Sequence, residues 1–260
     1  MFRNKQFQNF LENCKSEKLD IVVTSVIQTL GSTYTKSGNM MLVNSKGEST
    51  GVLGSNFLQN KVLESSKFAF ETSKTQIFES IAKDESSGHG SSKYQSEPFF
   101  YKNKYEGINE YILPPYSILI FGSAAHVSSL ISMSNLMGWK TTVIDLKLHK
   151  EYTLEADERI ELENLEDILS MDLSNYDASV ILSHSPKTDD TYLEALLKTN
   201  IEYIGLMGNK KNMQRKKEQF NLINDKRFFA PVGMDIGSYT HQSIALSICA
   251  QIEARKNRKI

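Results

Sequence analysis

The chain reads as an α/β protein in two parts: a C-terminal doubly wound parallel sheet behind a smaller N-terminal α+β domain. Three observations predict this. After residue 115, short and near-continuous apolar runs alternate with helical patterns, and strands of that kind are covered by helices on both faces. Before residue 113 the runs are β-branched stretches joined by turn sequences. Between the two lies Pro114-Pro115, which lacks backbone donors for a sheet ladder and stiffens the link. The expected domains are therefore 1–113 and 114–260.

The elements follow in order. Phe7, Phe10, Leu11 and Cys14 recur at helical spacing and open the chain with an amphipathic helix. Ile21 to Ile27 is a strand that Gly31-Ser32 breaks. Met40 to Val43 and Thr50 to Leu53 flank the turn Asn44-Ser45-Lys46-Gly47 as a hairpin, and Asn56 to Thr72 is a helix with Leu58, Val62 and Leu63 on one face. Residues 84–96, DESSGHGSSKYQS, carry too little apolar surface to offset their ordering entropy, which predicts a mobile loop. Phe99 to Tyr101 and Tyr111 to Leu113 are expected to pair as strands.

The second half places strands at Ser117 to Phe121, Lys140 to Asp145, Ala178 to Ser183, Glu202 to Leu206 and Phe228 to Val232. Helices are expected at Ala125 to Met137, Asn164 to Ser170, Asp190 to Lys198, Asn209 to Phe220 and His241 to Arg255. This is a Rossmann-like alternation.

Composition narrows the function. With 30 Lys+Arg against 31 Asp+Glu the net charge is −1, so no overall field gathers nucleic acid. Apolar runs fall far short of the roughly 20 residues of a membrane span, and residues 1–18 lack the apolar core of a secretory signal. Cys14 and Cys249 show no CxxC spacing. They fit a reducing, cytoplasmic setting and supply neither a disulfide framework nor a zinc site.

Ligands of doubly wound sheets bind outside the carboxyl ends of the strands. There the chain carries Gly122-Ser123-Ala124, Asp145, Ser183-His184, Gly205 with Gly208, and Gly233 with Asp235. Gly122, Ala124 and Val127 make only a partial GxGxxG, and a plain tight turn accounts for them equally well. Asp145, 23 residues beyond Gly122, stands where a ribose-binding acid is expected, or is a solvated strand-end acid. His184 titrates in the range of an acid, base or ligand, although a lone strand-end histidine also serves as a hydrogen-bonded structural residue. Asp189 is either its partner or a helix cap. Lys210 and Lys211 can offer cations to a phosphate, whereas Arg215, Lys216 and Lys217 read as a solvated helix face. No GxSxG elbow is present, and the five histidines are dispersed along the chain.

Together these segments resemble the XdhC/CoxI family, the xanthine dehydrogenase accessory proteins of molybdenum-cofactor maturation. In the first domain the resemblance rests on VVTSVIQTLGSTYTKSGNMMLV (residues 22–43) and GVLGSNFLQ (51–59). In the second it rests on ILIFGSAAHV, GWKTTVIDLK, LSHSPKTDDTYL, YIGLMGNKK and APVGMDIGSYTHQSIALSICAQIEA. It implies a homodimeric maturation factor, more a chaperone than a catalyst. Such a factor binds molybdenum cofactor, supports its sulfuration with a cysteine desulfurase and delivers it to a molybdenum hydroxylase such as xanthine dehydrogenase. Carried onto this chain, the cofactor-binding positions are Gly31, Ser32, Gly54 and Ser55, with Gly122, Ser123, Ala124, Asp145, Ser183, His184, Asp189, Gly205, Gly208, Gly233 and Asp235.

The chain also departs from the family pattern. Ser55-Asn56-Phe57 stands where the family has Gly-Gly-Cys, so Phe57 removes a thiolate candidate. Ser91 sits where many members carry a further cysteine. Gln59, Gln242 and Gln251 replace glutamates, Ala124 a glycine and Lys147 an arginine. Two alternatives remain. One is an NAD(P)- or flavin-dependent oxidoreductase with Asp145 on the ribose and His184 as proton donor. The other is a scaffold that docks a molybdoenzyme without holding its cofactor.

Overall fold

The computed structural model describes residues 3–81, 90–183 and 185–260, which divide into compact units meeting after Pro115. His89, His184 and residues 84–89 of the expected loop lie outside the described residues.

The first unit is a five-stranded antiparallel sheet, β3-β2-β1-β5-β4, formed by β1 (Ile21–Leu30), β2 (Met40–Asn44), β3 (Ser49–Thr50), β4 (Gln76–Ser80) and β5 (Ser91–Phe99). Helix α1 (Lys5–Glu17) buries Phe7, Leu11 and Cys14 against Ile21, Val23, Met40, Leu42 and Phe99. Helix α2 (Asn56–Thr72) packs Leu58 and Val62 with Val26, Met41, Val43 and Tyr94. The sheet is thus sandwiched, because alternate residues of each strand face opposite helices.

Two expectations fail here and a third is met only in part. Residues 91–96 are not a loop: β5 pairs with β1 from Phe99 opposite Ile21 to Ser91 opposite Leu30. Its polarity misled because its buried face is hydroxylic. Ser96 Oγ sits 2.7 Å from Thr24 Oγ1 and accepts from Ser65 Oγ at 2.9 Å, so the buried polar atoms satisfy one another. The expected pairing of Phe99 to Tyr101 with Tyr111 to Leu113 does not form: Phe99 ends β5, Tyr101 opens a 3-10 turn (Tyr101–Asn103), and residues 111–113 follow a second one (Ile108–Glu110) without strand structure, with left-handed backbone at Lys104, Tyr105 and Gly107. The hairpin is real but short, with only Leu42 and Val43 paired to β3. Strand β4 gives no clear signal in the sequence because its pattern is half-exposed throughout.

The second unit is a six-stranded parallel sheet ordered β11-β10-β9-β6-β7-β8. Its strands are β6 (Ser117–Phe121), β7 (Lys140–Asp145), β8 (Glu158–Glu161), β9 (Ala178–Ile181), β10 (Tyr203–Leu206) and β11 (Phe228–Phe229). Counted from β6 this is the 3-2-1-4-5-6 order of dinucleotide-binding sheets, and the order reverses between β6 and β9. Helices α3 (Ala125–Leu136) and α7 (His241–Lys256) cover one face over Ile118, Ile120, Val143, Val180 and Trp139. The other face, with Leu119, Phe121, Ile144, Ile181 and Ile204, is covered by α5 (Pro186–Leu197), Met213 of α6 (Lys210–Gln219) and a 3-10 stretch, Leu165–Ser170. A one-turn helix α4 (Lys150–Thr153) precedes β8.

Differences from expectation are local. The segment 165–170 is 3-10 rather than α, held by a capping box between Asn164 and Asp167. Helix α5 starts at Pro186 in its first turn, which suits a residue without a backbone donor. Asp189 therefore lies inside the helix and is not its cap. β11 ends before Pro231, which has no N–H for the ladder.

The architecture makes two substitutions informative. Gly122 has φ +110°, and a Cβ there would sit 2.8 Å from the Leu182 carbonyl oxygen. Gly122→Ala should therefore destabilise the chain by about 1–3 kcal/mol in urea unfolding. Asp225 holds Arg227 at 2.8 Å, and the hydrogen bond from Arg227 keeps its carboxyl below the ordinary value. A depressed folded pKa contributes stability that is present above the unfolded value and lost as pH falls through the folded one. Asp225→Asn should accordingly reduce stability at pH 7 and flatten its decline below about pH 4, as read by unfolding midpoints across that range.

Candidate functional site

The reversal of strand order between β6 and β9 leaves their following turns to diverge, α3 to one face and α5 to the other. In this topology the ligand crevice lies where they part, and a cavity of about 410 Å³ borders that place at Asp189. The chain leaves β6 through Gly122, whose backbone runs against Leu182 at the end of β9. Ser123 is buried, and its hydroxyl donates to Asp145 Oδ2 at 2.9 Å, with the Lys147 carbonyl also in reach at 2.7 Å. Asp145 Oδ1 accepts the Leu146 amide at 2.8 Å. Across the reversal, Ser183 Oγ donates to Asp189 Oδ1 at 2.5 Å. Gly122, Ser123, Asp145, Ser183 and Asp189 are thus brought to one place, and each acid is tethered by a serine from the turn beside it.

Ala124 is the N-cap of α3 and is exposed in extended conformation, so its Cβ causes no local strain. It also offers no side-chain cap. The first-turn amides of α3 therefore keep the donor character that draws anions to helix N-termini. The N-cap of α5, Ser185, likewise makes no side-chain cap bond.

Beneath this arrangement lies Tyr192, a residue that sequence reasoning missed. Its ring is fully buried and stacks on Phe121 at 4.2 Å between centroids. Its hydroxyl meets no acceptor at normal hydrogen-bond geometry among the described residues, while the Asp145 carboxylate is near enough to act on it. Burial, then the charge of Asp145 and to a lesser degree that of Asp189, pushes the phenol far above its ordinary range. Its signal was the spacing: Asp189 and Tyr192 are three apart and so share a face of α5.

The other expected residues fall at different places. Gly205 is not at a strand end: it is buried within β10, where a side chain would strike Val232. Gly208, Lys210, Gly233 and Asp235 line a cavity of about 590 Å³. Gly208 also borders a neighbouring cavity of about 410 Å³ with Asp189 and Arg215. The loop carrying Gly233 is clamped by Gln251, whose Oε1 accepts the Gly233 amide at 2.8 Å and whose Nε2 donates to the Gly233 carbonyl at 3.2 Å. A carboxylate could not make the second bond, so the glutamine at this position has a structural reason. Lys216 is not solvated as expected: it is mostly buried, ion-paired with Asp190 and seated over the Phe220 ring. The rings of His126 and His241 lie 6.1 Å apart despite their distance in sequence, and His126 Nε2 is 3.2 Å from the Leu182 carbonyl. Among the described residues no group of three or more His, Cys, Asp or Glu side chains forms a metal site.

In the first unit Ser32, Gly54 and Ser55 line a cavity of about 550 Å³ together with Phe57, Tyr34, Ser92 and Tyr94, and Gly31 adjoins Ser32 in the chain. Ser55 caps α2, accepting from Leu58 N at 3.5 Å, and Gln59 Oε1 accepts the Leu53 amide at 3.2 Å. Among the described residues the lining is hydroxylic and aromatic, without a thiol. Both cysteines are elsewhere: Cys14 and Cys249 are free and buried in separate cores. Desolvation raises the Cys14 thiol and pushes Cys249 up to about 12.

Comparison with known proteins locates this architecture. The XdhC Rossmann domain matches residues 118–252, and the XdhC and CoxI family model matches residues 14–80. The uncharacterized protein YqeB of Escherichia coli K12 is 26% identical over 95% of the chain and 46% of its own length. A probable xanthine dehydrogenase component of Bacillus subtilis is 32% identical over 32% of the chain and 24% of its own length. The chain thus spans less than half the length of either curated relative. A crystal structure of a xanthine dehydrogenase from Bacillus halodurans superposes with a TM-score of 0.80 at 20% identity, covering 97% of this chain and 96% of that one. With the Rossmann domain matched over more than half of its length, the chain belongs to the XdhC and CoxI family.

Proposed function

We propose that the chain is an accessory protein of a xanthine dehydrogenase-like molybdenum hydroxylase, and that the β6/β9 crevice, continued past Asp189 and Gly208 into the cavity lined by Lys210 and Asp235, holds that enzyme's molybdenum cofactor. Family membership and the name of the Bacillus subtilis relative support the accessory role. The observation that carries the binding role is the tethered acid pair at the strand-order reversal, beside a glycine turn and two helix N-termini without side-chain caps.

These residues fit the pterin and phosphate portions of such a group. Backbone amides after Gly122 and the Lys210 ammonium suit a phosphate, the first by helix-terminal donors and the second by charge. Asp145 and Asp235 suit the N–H edge of a pterin or the hydroxyls of a nucleotide, since an ionised carboxylate only accepts. When bound, the group supplies a redox-active molybdenum centre whose chemistry is used in the client enzyme. The chain's part is to orient and shield it.

The residues do not fit a sulfur-carrying step. Phe57 is exposed beside the hydroxyl-lined cavity and has no lone pair to offer, and both thiols are buried and disfavoured as thiolates. Sulfuration is thus assigned to a separate cysteine desulfurase, with this chain holding the acceptor as a cytoplasmic homodimer.

The direct test is anaerobic titration with molybdopterin cofactor released from a molybdenum hydroxylase, followed by its absorbance. Saturable binding is expected at low salt, weakened about tenfold by Lys210→Glu, as loss of one charge-assisted contact implies; absence of saturation would remove the proposal. Asp235→Ala should abolish activation of the client hydroxylase if the cofactor is held here, and leave it unchanged if the chain only docks. Iodoacetamide at pH 8 should leave both thiols of the native protein unmodified until it is unfolded, as read by mass spectrometry. Prompt labelling of either one would restore a thiol role.

A further inference from the structure

Gln251 of α7 makes three hydrogen bonds at once. Its Oε1 accepts from the Tyr203 hydroxyl at 2.7 Å and from the Gly233 amide at 2.8 Å, and its Nε2 donates to the Gly233 carbonyl at 3.2 Å. These bonds leave the side-chain amide one orientation, since turning it over would set an N–H against the Gly233 N–H. Tyr203 is fixed in its turn: its ring is fully buried in β10 and stacks on Phe229 at 4.7 Å between centroids. Gly233 is thereby tied through one side chain to the buried sheet.

Gly233 is also one root of a short tongue, and Ser238 is the other. Beside the first root the Met234 amide donates to the Ser247 carbonyl at 3.1 Å; at the second, Ser238 Oγ donates to the Ser243 carbonyl at 3.0 Å. Both roots are seated on α7. At Gly233, with φ +95°, a Cβ would sit 2.4 Å from Ser247 Oγ, so the backbone lies directly on that helix. Between the roots, Asp235, Ile236 and Gly237 make no hydrogen bond among the described residues. Asp235 is exposed at the tip and lines the cavity of about 590 Å³ with Lys210.

The geometry points to Gln251 as a positioning residue: by locking the Gly233 root to the buried sheet, it presets the Asp235 carboxylate to accept from the N–H or O–H donors of the ligand. This rests on the cavity being part of the ligand site, as argued above, and says which residue outside it sets its selectivity. A tongue free to swing would lose affinity to its own ordering before the carboxylate could engage. Gln251 touches no ligand itself. A glutamate at 251 would keep both acceptor bonds but turn a second oxygen toward the Gly233 carbonyl, which releases the root at nearly unchanged volume.

Anaerobic titration of the full chain with cofactor released from a molybdenum hydroxylase, run as two double-mutant cycles, tests this. Asp235→Ala and Gln251→Glu are each expected to weaken binding about tenfold, and the pair by no more than about twofold beyond either, because both remove the same contact. Lys210→Glu should cost its tenfold in both backgrounds. Gln251→Met, which carries no charge, should behave as Gln251→Glu does. A merely structural glutamine would couple to neither residue. In the ligand-free chain, hydrogen exchange at the Gly233 and Met234 amides should be about tenfold faster in either Gln251 variant, with α3 unchanged. Additive losses for Gln251 and Asp235, or unchanged exchange at Gly233, would overturn the inference while wild-type binding, and with it the proposed function, stands. Absence of wild-type binding would remove both.

Discussion

The second unit turns on one close approach, that of the Gly122 backbone to the end of β9. Parallel strands β6 and β9 are neighbours, yet the chain leaves them toward opposite faces of the sheet. That divergence opens a crevice only if the first turn stays thin, and a side chain at Gly122 would collide with the Leu182 carbonyl. Once the turn is fixed, Ser123 falls beside Asp145, and Ser183 reaches Asp189 from the other side. The polar floor of the crevice is therefore a consequence of sheet order and one glycine.

Much of this was legible in the sequence, for a physical reason. The central strands of a parallel sheet are buried on both faces, so Ser117–Phe121, Ala178–Ile181 and Tyr203–Leu206 stand out as mostly apolar runs. Edge strands lack that signature. β8 is Glu-Arg-Ile-Glu and β4 is mostly half-exposed, and both lie at the margins of their sheets. β5 failed for a different reason. Its buried face alternates Ser92, Tyr94 and Ser96, and Ser96 is satisfied by Thr24 of β1 and Ser65 of α2, an arrangement that only tertiary pairing reveals.

The same distinction applies to the site. Glycines and acids at strand ends are readable because topology fixes where strand ends lie, which is how Gly122, Asp145 and Asp189 came to notice. Gly205 misled because a glycine inside a strand serves close packing as readily as a turn. Tyr192 was hidden because an aromatic residue on a helical apolar face reads as core, and it is core at every atom except the last. Gln251 shows the converse: read as a departure, it makes both hydrogen bonds of the Gly233 clamp.

The central claim is that the turn after Gly122 and the first turn of α3 receive a ligand's anionic group. Amide hydrogen exchange with and without saturating molybdopterin cofactor tests it at residue level. Exchange should slow at Ser123 to Val127 and at Leu146 and Lys147, with smaller changes through α5. Slowing confined to Gly54–Leu58 of the first unit, or none at all, would contradict the account.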